Sequence, residues 1–161
     1  MELLNGIAGG APIWVWPLLL GLIGLGVLST RTRSVPRAFF YALPLLGLIT
    51  LNSAMNLPQP LLVWPCFIMG FAAGAFVAHG LQSRWILGRT GNRLTVSGEW
   101  MTFTVLMIIF WANFIAGAVQ AISPAIYGSA GFVVAFTLVI ALASGSFLGR
   151  SIRALRYVGV D

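Results

Sequence analysis

A chain of 161 residues that is 59% hydrophobic and only 7% charged cannot build the surface of a soluble domain, where about a quarter of residues carry charge. The net charge of +6 comes from nine arginines against Glu2, Glu99 and Asp161, and the arginines stand only in the gaps between apolar runs, which argues for membrane topology and against nucleic-acid binding. A single cysteine, Cys66, excludes an internal disulfide, a CxxC redox pair and a thiolate metal cluster.

The opening residues lack a basic stretch before the first apolar run and do not read as a signal peptide. The first apolar segment covers about 12–28 and ends at the basic stretch STRTRSVPR. The second covers about 38–56 and ends at LPQP, where Pro58 and Pro60 force a tight bend. The third covers about 61–80. A polar insert, GRTGNRLTVSGEW, then separates it from the fourth, about 99–121. Pro124 breaks the chain again before the fifth, about 128–149, and a basic tail follows. A helix needs about 20 apolar residues to cross the hydrocarbon. The expectation is therefore a single integral membrane domain over residues 1–161, an all-α bundle of five transmembrane helices with short antiparallel connections.

Arginine placement orients that bundle. Arg31, Arg33 and Arg37 follow the first segment, Arg84, Arg89 and Arg93 the third, and Arg150, Arg153 and Arg156 the fifth. With five crossings all nine fall on one side. The positive-inside rule makes that side the cytoplasm of a bacterial inner membrane, with the N-terminus outside and the C-terminus inside. These arginines are candidate contacts for anionic lipid headgroups or a protein partner. The aromatics agree: Trp14, Trp16, Trp64 and Tyr127 mark the outer boundary, and Tyr41, Trp85, Trp100 and Tyr157 the inner one. Trp111 falls at mid-membrane and reads as a packing residue.

The polar insert predicts a short hairpin or loop on the cytoplasmic face. Gly91 and Asn92 suit its turn, and Arg93–Val96 alternates polar and apolar. Ser97 suits an N-cap. Glu99 falls in the predicted first turn of the fourth helix, where the dipole favours a carboxylate and a neighbouring arginine is available as a partner.

Polar residues inside the segments are few. Asn52 and Asn56 share a helix face, as do Asn113 and Gln120, and the four amides are candidates for a polar seam between the second and fourth helices. They read as interhelical hydrogen bonds, or alternatively as the path of a small transporter, channel or lipid-handling protein. Gly70 with Gly74, and Gly145 with Gly149, are small-xxx-small pairs that suit close helix packing within one bundle or in a homodimer. His79 is the lone histidine and stands at the opposite end of the third segment from Cys66, so no metal or haem cofactor is expected. No Asp or Glu is predicted in the hydrocarbon, and Ser144 and Ser146 lack an oriented base. The function expected is non-catalytic, exercised through helix packing or through cytoplasmic and lipid partners.

The TRTR loop with Arg31 and Arg33, the helix start Ser97-Gly98-Glu99-Trp100, and the core Ile109-Phe110 with Phe114 and Gly117 resemble a family of small bacterial multipass membrane proteins of unknown function. More distantly they are similar to CcdC-like membrane proteins. That resemblance implies a multipass inner-membrane fold and, as a further alternative, a haem-related accessory role in cytochrome biogenesis. The helix start departs from the family's Gly-Ser-Trp pattern. Ala112-Asn113 stands where relatives carry a basic residue beside an aromatic.

Overall fold

The computed structural model describes residues 13, 15–36, 38–82, 84–90 and 93–156. In chain order the elements are α1 (Val15–Ser29), β1 (Arg33–Pro36), α2 (Ala38–Met55), α3 (Pro60–Gln82), β2 (Ile86–Thr90), β3 (Arg93–Val96), α4 (Met101–Ile122), the short α5 (Pro124–Tyr127) and α6 (Ala130–Leu155). The helices follow the apolar segments. Among the described residues three of them, α3, α4 and α6, are long and apolar enough to cross a membrane. At 23, 22 and 26 residues they span about 33–39 Å, enough for the hydrocarbon. The chain is a membrane protein by that criterion. Within the described residues α1 has 15 residues, apolar but short for a crossing.

Helix α6 is the axis of the bundle. In its apolar window 56% of residues are buried, against 22% in α3 and 17% in α4, whose outer faces are uncovered by the rest of the protein. The closest packing is between α3 and α6, and glycine permits it. A methyl group on Gly74 would overlap the Leu142 carbonyl, one on Gly145 the Phe71 carbonyl, and one on Gly149 the Ala75 carbonyl. At Gly70 it would come to 3.0 Å from the Ala141 Cβ. The two glycine pairs thus face each other across one interface, where backbone approach and dispersion replace the hydrophobic drive that lipid removes.

The predicted hairpin is present as β2 and β3, but it is not alone. β1, from the TRTR loop, pairs antiparallel with β3 through Ser34↔Thr95 and Val35↔Leu94, giving a three-stranded sheet of order β1-β3-β2. β2 joins β3 with a register shift between Ile86 and Gly88. The Gly91-Asn92 turn lies outside the described residues. Alternation puts Val35, Ile86, Leu94 and Val96 on one buried face, packed on Val105 and Leu106 of α4 and Phe147 and Ala154 of α6. The outer edges of β1 and β2 have no strand beside them in this sheet. Hydrocarbon cannot satisfy such edges.

At the far end a second core gathers Leu57, Val63, Phe67, Val133 and Phe136 around the two proline links. Gln59, in the first link, has φ 63° and donates its side-chain amide to the Gly128 carbonyl, just beyond α5, at 2.6 Å. The links after α2 and α4 therefore meet at one end, and the basic loops after α1 and α3 at the other.

Candidate functional site

The most concentrated polar group in the described residues sits where the sheet meets the helices. Glu99 lies two residues before α4, with its main-chain N–H donating to the Ser29 carbonyl at the end of α1 at 3.0 Å. Gly98 makes this approach feasible, because any side chain there would run into the Thr30 carbonyl. The Glu99 carboxylate turns inward and is 4% exposed. Its Oε1 accepts from the Thr102 hydroxyl at 2.9 Å and from Nη2 of Arg150, with which it forms an ion pair. The Arg150 guanidinium also donates from Nε to Oε1 of Gln82 at 2.8 Å and from Nη1 to the Thr102 hydroxyl at 2.9 Å. Side chains from α3, α4, α6 and the corner before α4 thus meet in one buried network. The Ser29 hydroxyl donates to the Glu99 main-chain carbonyl and to the Gly26 carbonyl, extending the network to α1.

Burial explains why these residues pair. A lone guanidinium or carboxylate taken out of water costs several kcal/mol, by order of magnitude, and the charges persist only with a partner and further hydrogen bonds. Two expectations are corrected here. Arg150 is not available as a contact for headgroups or a protein partner: its side chain is 3% exposed and engaged by Glu99, Gln82 and Thr102. Ser97 is not the N-cap. The cap position is Trp100, whose side chain makes no capping bond, while Ser97 donates its main-chain N–H to the carbonyl of Trp85, just before β2, at 2.8 Å. Glu99 correspondingly lies before the first turn of α4, and Thr102 and Arg150 hold its carboxylate.

The remaining arginines are placed as follows. Arg31, Arg84, Arg93, Arg153 and Arg156 are exposed at the sheet end. Arg33 is in β1 and Arg89 in β2, with nothing described of their side chains, and Arg37 lies outside the described residues, as do Trp14 and Tyr157.

The predicted amide seam does not close as four amides. Asn113 accepts from the Ser53 hydroxyl across α2 and α4 at 2.6 Å, and its own amide donates back to the Ile109 carbonyl. Asn56, just beyond α2, donates its side-chain amide to the Asn52 carbonyl. Asn52, Asn56 and Gln120 are exposed. The bridge between helices is therefore a hydroxyl–amide pair, and the serine between the two asparagines supplies it. Trp111 is also exposed, at 47%, on the outer face of α4, with its ring set edge-on to Phe110 and Phe114. A nearby groove of about 320 Å³ between Phe114, Ala118, Ile122 and Ile126 is apolar. Cys66 and His79 are half-buried on α3, and among the described residues no three of His, Cys, Asp and Glu come together.

No family model matches the chain, and no solved structure matches it. A stretch of 71 residues is 38% identical to the uncharacterized protein PM0739 of Pasteurella multocida (strain Pm70). The match covers 44% of this chain and 56% of that relative, so the chain spans little more than half of the relative's length.

Proposed function

We propose that the chain is a multipass inner-membrane protein that acts without catalysis, through helix packing and through partners at its basic sheet end. In this reading α1 and α2 cross the bilayer together with α3, α4 and α6. The sheet faces the cytoplasm, the N-terminus lies outside, and the exposed Arg31, Arg84, Arg93, Arg153 and Arg156 meet anionic headgroups or a cytoplasmic protein. The observation that carries it is the β1–β3 pairing. It ties the loop after α1 to the loop after α3, which puts both basic loops at the same end, as alternating crossings require. The distant likeness to CcdC-like membrane proteins belongs to this reading too. It rests on the TRTR loop and the Ile109-Phe110 core, and assigns no reaction.

A reporter active only in the cytoplasm, fused after Asp161 and separately within the 123–129 link, tests the topology. The fusion after Asp161 is expected to be active and the one in the link inactive. The reverse pattern overturns the orientation, and equal activity at both overturns the crossing number. For the headgroup contact, liposomes with and without phosphatidylglycerol provide the measurement. Charge-reversal at Arg153 and Arg156 is expected to abolish any preference for the anionic vesicles.

A further inference from the structure

We infer that the Glu99–Arg150 network encloses a single bound water molecule, held between Oε2 of Glu99 and Nε2 of Gln82. Two observations on the network point to it. First, Gln82, Glu99, Thr102 and Arg150 are 0%, 5%, 7% and 3% exposed, so the site is built from side chains already removed from solvent. Second, within this network one strong acceptor and one strong donor are buried without a partner among the described residues: Glu99 Oε2 and Gln82 Nε2. Their sister atoms, Glu99 Oε1 and Gln82 Oε1, are both engaged by the same guanidinium, through Nη2 and Nε. That guanidinium anchors both side chains through those sister atoms, at adjoining corners of one planar group.

The chemistry of the pair selects the occupant. A carboxylate oxygen needs a donor and an amide N–H needs an acceptor. A single atom that serves both is a hydroxyl oxygen. Screening of both atoms from solvent requires the occupant to be small, and water is the smallest hydroxyl. An anion is excluded by Glu99 and a cation by Arg150. Buried waters are the ordinary means by which such orphaned groups are satisfied, and each commonly makes about three hydrogen bonds. The water links Gln82 at the end of α3 to Glu99 at the corner before α4. It also gives the second carboxylate oxygen a donor while the first is held by arginine.

A crystal structure of the wild-type chain in a lipidic mesophase, at a resolution that shows ordered water, tests this. Density for one water within about 3.2 Å of both atoms is the expected result. Glu99 Oε2 and Gln82 Nε2 bonded directly to each other or to other protein groups, or a larger molecule between them, overturns it. A second measurement needs no variant: in ¹⁵N-glutamine-labelled protein in nanodiscs, the Gln82 side-chain amide should show cross-relaxation with a long-lived water. The exposed Gln59 and Gln120 amides serve as controls and should show only fast-exchanging solvent. A Gln82 amide with no water contact counts against the proposal.

Discussion

The two ends of this bundle solve the same problem by opposite means. At the far end, chain reversals are short, proline-stiffened and apolar, and the core beneath them is Leu57, Val63, Phe67, Val133 and Phe136. One exposed polar bond crosses there, from Gln59 to Gly128. At the sheet end the reversals are long and basic. Strand pairing ties the two loops to each other, and a buried ion pair fastens them to α6. The lesson is about reach. A four-residue link needs no lock, because its length already fixes its helices. Loops of eight residues or more leave helix ends free until something long-range holds them, and here that is a carboxylate and a guanidinium 51 residues apart.

If that contrast is right, single substitutions at the two ends should differ sharply. The largest loss is expected for Glu99→Ala or Arg150→Ala, each of which strands a buried charge, at about 3–5 kcal/mol. Reversible unfolding in mixed micelles measures it. The double variant Glu99→Leu with Arg150→Met should recover much of that loss. A Glu99→Gln cost of only about 0.3–1 kcal/mol, the figure for a charge near a helix terminus, would show instead that the pair contributes little. Next comes Gly145→Val, which drives a side chain into the Phe71 carbonyl between the two ends; overpacking of this kind costs about 1–3 kcal/mol. Cysteine crosslinking between α3 and α6 should fall with it. Ser53→Ala should cost about 0.6 kcal/mol, typical of an interhelical hydrogen bond in a membrane, and Asn113→Ala a similar amount, with the double variant no worse than either. The smallest effect is expected for Gln59→Gly, which loses the bond to Gly128 but relieves a positive φ, leaving stability within about 0.5 kcal/mol of wild type.

Much of the architecture is legible in residue order. Apolar runs bounded by proline and arginine mark the helices, because lipid selects for length and hydropathy alone, both local properties. The β2–β3 hairpin is legible for the same reason, as alternation around a turn. β1 is not: Ser34-Val35-Pro36 is too short to announce a strand, and only β3, about 60 residues later, gives it a partner. The ion pair is half legible. Glu99 is the one acid between Glu2 and Asp161, and an isolated carboxylate beside apolar runs implies a cation, yet nine arginines are available and spacing does not choose among them. The seam shows the same limit. Helical periodicity places Asn113 on a face but does not name the residue opposite, and the partner proves to be Ser53.

The separation of Glu99 from Arg150 also sets a timetable for biogenesis. Ribosomes add about 5–20 residues per second, so the carboxylate is made roughly 3–10 s before its counter-charge exists. During that interval Glu99 must remain hydrated or be sheltered by the insertion machinery, and α4 cannot settle at its final depth. A nascent chain arrested before residue 150 should therefore react with a water-soluble carbodiimide at Glu99, and release past Arg150 should extinguish the reaction.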